Sequence, residues 1–235
     1  MKKQLSILSA IVICCTLLFS ASCKKNDDNK TTSPSTSNDF SPEIKAIISQ
    51  TYIDSLRNKG MKIYDGNTPP NVEGIYLVSP YILLAAYGPE DGWQPGYVIN
   101  DYKYRFYDQV KNELKIDYKQ QGQSTDTGAG LGCFIAGKNN TFSIFCQLKG
   151  AEGSVSYTHV AIISGEMTAT GIKNFQYGFI LTEKQNDDEN FVLIPVGKSR
   201  IWQDDDHFSE FATALKSALR NSSGSAKAGS ASSVK

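Results

Sequence analysis

Apolar and polar positions alternate along most of the chain from Gly74 onward. In the segment 102–106 aromatic residues alternate with Lys103 and Arg105, and the segment 114–118 repeats the pattern. A period of two is typical of strands that bury one face and leave the other in water. Clusters of Gly, Asn, Asp and Pro separate these runs, which favours an antiparallel meander of eight to ten strands. Strands are predicted at 74–79, 81–87, 102–107, 113–119, 131–136, 141–148, 155–165, 175–182, 191–196 and 200–202.

Two amphipathic helices are predicted to flank the strands. Ser41 suits an N-cap and Pro42 the first helical turn, and apolar residues then recur at helical spacing until Gly60. A second helix is predicted after the acidic run 204–206, because carboxylates suit the positive end of a helix. Its apolar positions are Phe208, Phe211, Leu215 and Leu219. The sequence thus predicts a mainly β domain, a closed barrel with a β-sandwich as the alternative, between an N-terminal and a C-terminal helix.

Cys23 closes an N-terminal segment that has the three parts of a secretory signal. Lys2 and Lys3 are basic, residues 5–19 are apolar, and residues 20–22 are small, as a signal peptidase requires. The segment resembles a bacterial lipoprotein signal, which implies that Cys23 carries lipid and anchors the mature protein to a membrane. A retained transmembrane helix is the alternative, although the apolar part is shorter than the roughly 20 residues of a membrane span.

The charged run 24–28 directly follows this cysteine. It resembles the export signal that sends Bacteroidetes lipoproteins to the outer face of the outer membrane, and a solvated linker explains it equally well. We therefore expect an outer membrane lipoprotein of the cell envelope, facing either the periplasm or the cell surface.

The chain divides into four predicted segments. Residues 1–22 are the signal peptide, 23–40 a lipid-anchored disordered linker rich in Ser and Thr, 41–220 a single β-rich domain with its two helices, and 221–235 a disordered tail. Two of the 24 basic residues leave with the signal, so the mature chain has 22 against 24 acidic residues. This near balance produces no strong field, and nucleic acid is not expected as a partner.

Cys133 and Cys146 flank a turn signal at 137–141. If Asn139 and Asn140 form a two-residue turn, each cysteine lies six residues from it, and the two thiols face each other across the hairpin. They then form a non-hydrogen-bonded pair, in which the two backbones approach most closely. A four-residue loop would also keep them opposite, but at a hydrogen-bonded pair, where a bridge forms less easily. A disulfide in an oxidising envelope is one outcome, and two buried free thiols that pack as small hydrophobes are the other.

Residues suited to catalysis or metal binding are few. His159 lies on an apolar strand face and is expected to be structural, and His207 has only the local acids beside it. The acids 204–206 lack the alternating spacing of a calcium loop, and the chain has no phosphate-binding, zinc or nucleophile-elbow motif. We expect no catalytic residue, no cofactor, no metal site and no enzymatic activity.

Tyr87, Trp93 and Tyr97 lie in or beside the long connection 88–100, which is rich in Gly and Pro. Rings in a loop at the mouth of a rigid scaffold are well placed to contact a ligand. The alternative is that the loop folds back and uses the rings to cover one end of a barrel. The three residues are the candidate ligand-binding set.

Residues 74–76, Gly-Ile-Tyr, begin the first predicted strand, Lys198 or Arg200 supplies a basic residue near the last strand, and a predicted helix follows from His207. This combination resembles the lipocalin-like, or calycin, barrels over residues 62–220. The resemblance implies a closed barrel with a cavity for a small, mostly apolar ligand.

The segments 69–76 and 101–106 also resemble parts of uncharacterised Bacteroidetes surface lipoproteins. The function expected from these resemblances is that of a membrane-anchored, non-enzymatic binding module for a small apolar or amphipathic ligand. The alternative is a cell-surface interaction protein that binds glycan or a host protein through its outer face.

Overall fold

The computed structural model describes residues 40–122, 126–189 and 192–215, and within these ranges the protein is mainly β. The helices are α1 (Pro42–Ile47) and α2 (Gln50–Asn58). The strands are β1 (Gly74–Val78), β2 (Tyr81–Ala85), β3 (Val98–Ile99), β4 (Tyr102–Val110), β5 (Glu113–Gln120), β6 (Thr127–Lys138), β7 (Thr141–Glu152), β8 (Val155–Met167), β9 (Gly171–Gln185), β10 (Ser199–Asp204) and β11 (Phe208–Glu210).

All eleven strands belong to one sheet, and the paired neighbours are antiparallel. Strands β4 to β10 follow one another in space as they do along the chain, which confirms the predicted meander over this stretch. The first two strands are separated, because β1 pairs with β4 whereas β2 pairs with β10 at the other end of the order. Nine of the ten predicted strands are present, and two short strands that were not expected, β3 and β11, bring the number to eleven.

Strand β11 contacts two other strands. It pairs with β9 through Phe208 and Lys173, and its neighbour Phe211 forms a bridge with Tyr76 of β1. The backbone N–H of Ala212 also donates to the carbonyl oxygen of Ile75, at 2.7 Å. Through β11, the hydrogen-bonded path therefore runs from β9 back to β1.

The predicted alternation of buried and outward positions is confirmed in β4 and β5. Tyr104 and Phe106 are buried, whereas Arg105 projects outward and forms an ion pair with Asp117 of β5. The inner cluster is built from such alternate residues, among them Val78, Leu83, Phe106, Ile116, Ile135, Ile144, Ile163 and Phe175. The inward faces of the strands therefore form the main core.

A second core lies on the outer face of the sheet, under the two helices. Ile44, Ile53 and Leu56 of the helices pack with Phe145 and Ile162, which neighbour inward-facing residues in sequence. Strands β7 and β8 are consequently buried on both faces over part of their length, which explains their continuous apolar runs.

The predicted first helix begins where expected and is broken once. Ser41 caps α1 and Pro42 opens it, as predicted. Ile48 is extended, and Ser49 caps α2 by accepting the backbone N–H of Tyr52 at 3.4 Å. A serine that offers a local cap therefore divides the helix in two, an outcome consistent with the preference of Ser for N-caps.

The predicted C-terminal helix is wrong over the residues that the structure describes. Phe208–Glu210 is a strand, and the preceding turn places His207 at φ +63°. The backbone N–H of Phe208 donates to the Asp206 carboxylate, and β9 offers an open edge to which β11 bonds. Edge pairing thus prevails over the helical spacing of the apolar residues. Positions 216–220 lie outside the described residues.

The strand predicted at 191–196 is also wrong from Val192 onward. The segment is a loop in which Val192 and Leu193 donate their backbone N–H groups to the Asp187 carboxylate, at 3.0 and 2.9 Å. Because these N–H groups bond to a side chain, the segment does not pair with a strand there. Phe191 lies outside the described residues.

Several predictions concern residues that the structure does not describe. The signal peptide, Cys23, the linker up to Asp39 and the tail from Asn221 lie outside the described ranges. Phe40, expected to be the last linker residue, is buried and packs edge-on against Phe145. Among the described residues no helix has the length and apolar character needed to cross a bilayer.

Candidate functional site

A cavity of about 410 Å³ lies on the inner side of the sheet. Its walls come from strands β2, β3, β4, β5, β7, β8, β9 and β10, from Asp126 directly before β6, and from the connections 86–97 and 192–194. Nine of the lining residues carry Tyr, Trp or Phe rings, which are Tyr81, Trp93, Tyr102, Tyr104, Tyr118, Tyr157, Tyr177, Phe179 and Trp202. Six of these nine rings carry a hydroxyl group, so the cavity is apolar on its walls and polar at many points.

The period of the strands places these rings on one face. Tyr102 and Tyr104 are two residues apart on β4, and Tyr104 pairs with Tyr118 of β5. On the far side, Tyr157 and His159 are two residues apart on β8. Residues at i and i+2 share a face of the sheet, so β4 and β8 each contribute a pair of inward side chains.

The rings of Tyr118 and Tyr157 each pack over a glycine, Gly128 and Gly150, whose missing side chain leaves room for the ring. Tyr118, Gly128, Gly150 and Tyr157 are opposed in successive strands from β5 to β8. A Cβ on Gly128 would lie 2.4 Å from the Tyr118 ring, and one on Gly150 would lie 2.4 Å from the Tyr157 ring. The two rings lean over the glycines from opposite sides, and their hydroxyl oxygens are 2.7 Å apart.

The buried hydroxyls bond to one another. Besides the Tyr118–Tyr157 pair, the hydroxyl oxygens of Tyr81 and Tyr104 lie 3.0 Å apart. Burial raises the pKa of Tyr81 and of Tyr118 well above its ordinary value. These hydroxyls therefore stay neutral and keep their protons for hydrogen bonding.

Asp126 and Glu152, the acidic pair, line one part of the cavity. The Asp126 carboxylate accepts hydrogen bonds from the hydroxyls of Tyr102 and Tyr157. Burial raises the pKa of Asp126, although these two hydrogen bonds and the charge of Lys119 oppose the shift. Burial and the charge of Asp126 together raise the pKa of Glu152.

His159 lines the cavity and is almost fully buried. Its Nε2 atom lies 2.5 Å from the Tyr177 hydroxyl oxygen, and its Nδ1 atom has no hydrogen-bond partner. Burial lowers the pKa of His159 to about 3, so the ring is neutral near neutral pH. Nε2 fits the expected structural histidine, because it has a hydrogen-bond partner. Nδ1 does not, because it is buried without one.

An ion pair holds the connection 86–97 against the cavity. Arg200 of β10 donates from Nη2 and Nε to the two carboxylate oxygens of Asp91, at 2.5 and 2.9 Å. Asp91 also accepts the backbone N–H groups of Tyr87 and Trp93, each at 3.0 Å. The guanidinium of Arg200 lies 4.2 Å from the centre of the Trp93 ring. One buried carboxylate therefore fixes the place of Trp93.

The three rings predicted to bind ligand have different positions. Trp93 lines the cavity. Tyr97 stacks on Trp93 with ring centres 4.7 Å apart, is 45% exposed and does not line the cavity. Tyr87 is half-buried beside Arg200, and its hydroxyl donates to the carbonyl oxygen of Glu90. The structure thus groups the three rings around the Asp91–Arg200 pair and places only Trp93 in the cavity wall.

Cys133 and Cys146 are both buried, and both are free thiols. The predicted two-residue turn is present, because Lys138 pairs with Thr141 and the register continues to Phe134. Burial and contact with Cys133 raise the pKa of the Cys146 thiol. The disulfide stays a prediction about the protein in an oxidising compartment.

Sequence reasoning missed the tyrosines, Asp126 and His159 as parts of a site. A signal was present, since Tyr-x-Tyr at 102–104, Tyr-x-His at 157–159 and Tyr-x-Phe at 177–179 each place two rings, at least one of them with a polar group, on an inward face. A packed core at such positions is more commonly built from Leu, Ile and Val. Asp126 has no such local signal, because its burial depends on strands distant in sequence.

Comparisons of the chain with protein-family models, with curated proteins and with solved structures found no significant match.

Proposed function

We propose that the protein is a membrane-anchored, non-enzymatic binding module that holds a small apolar or amphipathic ligand inside a lipocalin-like barrel. The aromatic cavity of about 410 Å³ carries this proposal. Ligand pockets commonly have volumes of roughly 300–1,000 Å³, apolar walls and a few placed polar groups. Small barrels are otherwise filled by side chains, so a cavity of this size favours a binding role.

The closed barrel in this proposal is supported by the position of β11. Each strand from β4 to β9 bonds to the next, and β11 continues the path from β9 to β1, which bonds to β4. A sandwich would separate the strands into two packed sheets. The single path of paired strands is therefore better explained by closure.

The binding role is favoured over catalysis by the bonding of the lining groups. The hydroxyls of Tyr118 and Tyr157 bond to each other, and Asp126 accepts from two tyrosines. Groups fixed in this way orient a ligand without activating a nucleophile. The anchor in this proposal is lipid on Cys23, which places the domain at the outer membrane, in the periplasm or on the cell surface.

Native mass spectrometry tests the proposal directly. The chain starting at Asp39 keeps the whole of the two described core clusters, since these begin at Phe40. Purified under mild conditions from its own host, it should carry a discrete small molecule that is lost on unfolding. A bare protein from several growth conditions would overturn the cavity proposal. It would favour the alternative, binding of glycan or a host protein through the exposed Tyr97 and Val98.

Trp93→Ala tests the cavity wall. The change removes a ring face from the wall and the nearer of the two aromatic rings beside Arg200. Because an aromatic contact contributes roughly 0.5–1.5 kcal/mol beyond its buried area, we expect the affinity for the co-purified molecule to fall about tenfold. Isothermal titration of the unloaded protein measures this change.

Tyr52→Ala is the matched control. Tyr52 is also an aromatic residue and is 46% exposed on α2, away from the cavity lining. Its removal should leave the affinity unchanged. Equal affinities of both variants and the unmodified protein, with Trp93→Ala less stable to heat, would show that the Trp93 ring only covers the fold.

A further inference from the structure

Two hydrogen-bonded pairs of side chains lie on the cavity wall. The tyrosine pair is Tyr81 and Tyr104, and the histidine pair is His159 and Tyr177. All four residues line the cavity, and none of them is more than 6% exposed. The two pairs are neighbours, since the ring centres of Tyr104 and Tyr177 lie 5.5 Å apart. They therefore form one polar region within the aromatic walls.

The tyrosine pair has one proton more than its hydrogen bond uses. Both hydroxyls are protonated, because burial raises the pKa of Tyr81 and of Tyr104. One hydrogen bond between the two oxygens uses one of the two protons. Within the described part of the chain, neither hydroxyl has another hydrogen-bond partner. One O–H group of this pair is therefore a buried donor without an acceptor.

The same count holds for the histidine pair, whichever nitrogen carries the proton. Burial lowers the pKa of His159 to about 3, so the ring has one N–H group, and burial keeps the proton on Tyr177 by raising the pKa of its hydroxyl. If Tyr177 donates to Nε2, the N–H group at Nδ1 has no acceptor. If Nε2–H donates to Tyr177, the Tyr177 O–H has none among the described residues. Either arrangement leaves one buried donor.

The other tyrosine hydroxyls of the described wall use their protons. Tyr102 and Tyr157 each donate to the Asp126 carboxylate. Tyr118 then donates to the Tyr157 oxygen, because the proton of Tyr157 is already used. The donors without acceptors are thus confined to the tyrosine pair and the histidine pair.

A ligand oxygen can supply the acceptor that both pairs lack. Buried polar groups in folded proteins nearly always have a hydrogen-bond partner, so two such donors in one cavity indicate what its ligand must offer. A carbonyl oxygen has two lone pairs and no proton, and it can accept from both donors at once. A hydroxyl or ammonium group would bring further protons instead.

The charge of the ligand follows from the cations of the wall. A carboxylate also accepts hydrogen bonds, but a buried charge is unfavourable unless an opposite charge lies beside it. Arg200 is the one cation among the described lining residues, and it donates to both oxygens of Asp91. An uncharged carbonyl group is therefore the better match.

We propose that the ligand of this cavity is a small, uncharged carbonyl compound, whose oxygen accepts hydrogen bonds from the tyrosine pair and the histidine pair and whose apolar body lies among the aromatic rings. This inference rests on the proposed function and adds the chemical class and the orientation of the ligand.

The experiment compares three planar probes of nearly the same shape. They are acetophenone, α-methylstyrene, which has a methylene group in place of the carbonyl oxygen, and the anion benzoate. The full chain is used in phosphatidylcholine nanodiscs, and empty nanodiscs measure the part of each probe that enters the lipid. Isothermal titration measures the affinities. The carbon NMR resonance of the isotope-labelled carbonyl in acetophenone reports hydrogen bonding, because it moves downfield when the oxygen accepts hydrogen bonds.

The resonance of bound acetophenone should lie at least as far downfield as in water, and acetophenone should bind more tightly than benzoate. A resonance at the value found in hexane, or tighter binding of benzoate, would overturn the carbonyl inference while the cavity still binds ligands. Failure of acetophenone to bind would also overturn it, and the co-purified molecule would then decide the proposed function separately.

Tyr81→Phe combined with Tyr104→Phe tests the tyrosine pair, because the change removes both hydroxyls and keeps both rings. A single replacement would leave the other hydroxyl as a free donor. The affinity for acetophenone should fall about threefold to tenfold, as expected for one lost hydrogen bond, and the affinity for α-methylstyrene should be nearly unchanged. The carbonyl resonance should move toward its value in hexane.

Tyr52→Phe combined with Tyr107→Phe is the matched control, since it removes two hydroxyls outside the cavity lining and should change neither the affinities nor the resonance. His159→Phe combined with Tyr177→Phe is the second test and should have the same effect as the loss of the tyrosine pair. An unchanged resonance in both cavity variants would overturn the inference.

Discussion

Asp204 lies in a buried strand, although the acidic residues that follow it predicted the exposed start of a helix. In the sequence it opens an acidic run suited to the start of a helix, whereas in the structure it ends β10 and is fully buried. Its Oδ2 atom accepts the Ser209 hydroxyl at 2.6 Å, and its Oδ1 atom has no hydrogen-bond partner. Burial, with Asp206 as a further cause, raises the pKa of Asp204 to about 7.

The stability of the protein should therefore depend on pH through Asp204. Because the folded-state pKa lies above the ordinary value of 3.8, the folded protein holds this proton more tightly than the unfolded chain. The stabilising contribution is complete below about pH 4 and is lost as the pH rises to 7, with an upper bound of about 4 kcal/mol. Asp204→Asn should thus be nearly neutral at pH 4 and stabilising at pH 8.

Urea unfolding at the two pH values measures this effect. Asp205→Asn is the control, since Asp205 is an exposed neighbour of the same charge. Equal differences between Asp204→Asn and the unmodified protein at both pH values would contradict the assignment.

The two facing glycines Gly128 of β6 and Gly150 of β7 show how two strands can shape a site at positions that carry no side chain. They oppose each other between Tyr118 and Tyr157, and a tyrosine ring covers each of them. Aromatic rings stack well over glycines of neighbouring strands, which otherwise weaken a sheet. The glycines therefore determine the tilt of the Tyr118 and Tyr157 rings at the cavity wall.

Gly150→Ala tests this role. The new methyl group would lie 2.4 Å from the Tyr157 ring, so the ring must move into the cavity and its hydroxyl must leave Tyr118. We expect a loss of roughly 1–3 kcal/mol in the free energy of unfolding, as for other overpacked positions, together with weaker ligand binding.

Gly92→Ala is the matched control, because a Cβ at Gly92 would meet no atom within 4 Å. Thermal unfolding and titration of both variants provide the comparison. Unchanged binding by Gly150→Ala would show that the ring has another way to make room.

Helices and strands were predicted correctly where contacts between residues close in sequence determine them, and incorrectly where contacts between distant segments do. The strands β4 and β5 were predictable, because alternation records burial residue by residue. The segment 208–210 was not, because its apolar spacing fits a helix while its actual partner is the edge of β9, more than thirty residues earlier. The helix break at Ser49 had a signal in the sequence, because Ser is a common N-cap residue. The apolar residues on both sides keep a continuous helical spacing, so the sequence favoured one helix.

At the scale of the whole molecule, β11 links β9 to β1, the first strand of the spatial order. Strand β11 has only three residues, yet the segment pairs with β9 and reaches β1 through Phe211 and Ala212. The ring of Phe211 also lies 4.9 Å from that of Tyr76. A short segment therefore seals the seam between β9 and β1.

Ala212→Pro should open this seam. Proline removes the N–H that donates to Ile75, and we expect a loss of about 1–3 kcal/mol in the free energy of unfolding. Ala214→Pro places the same ring at an exposed position two residues further on and serves as the control. Amide hydrogen exchange should show faster opening of β1 in Ala212→Pro alone, and equal protection of β1 in both variants would contradict a sealing role.

The candidate site was predictable only in part, and for a reason that belongs to the whole molecule. Trp93 was identified because a ring in a Gly/Pro-rich loop is conspicuous in the sequence. Asp126 and His159 are 33 residues apart in sequence, and they share the cavity only because strands β6, β7 and β8 pair in their observed register. Their proximity depends on the register of several paired strands, and the sequence pattern of a single strand does not predict that register.

The hydroxyl pairs of the cavity have a consequence for the kinetics of binding. Each tyrosine side chain has only two rotatable bonds. The Tyr81–Tyr104 and Tyr118–Tyr157 hydrogen bonds further restrain these four side chains. Under the proposed binding function, a ligand would therefore meet a preorganised wall, and its binding would cost little conformational entropy of the protein. Among related ligands, a rigid template of this kind separates good fits from poor ones mainly by how long each one stays.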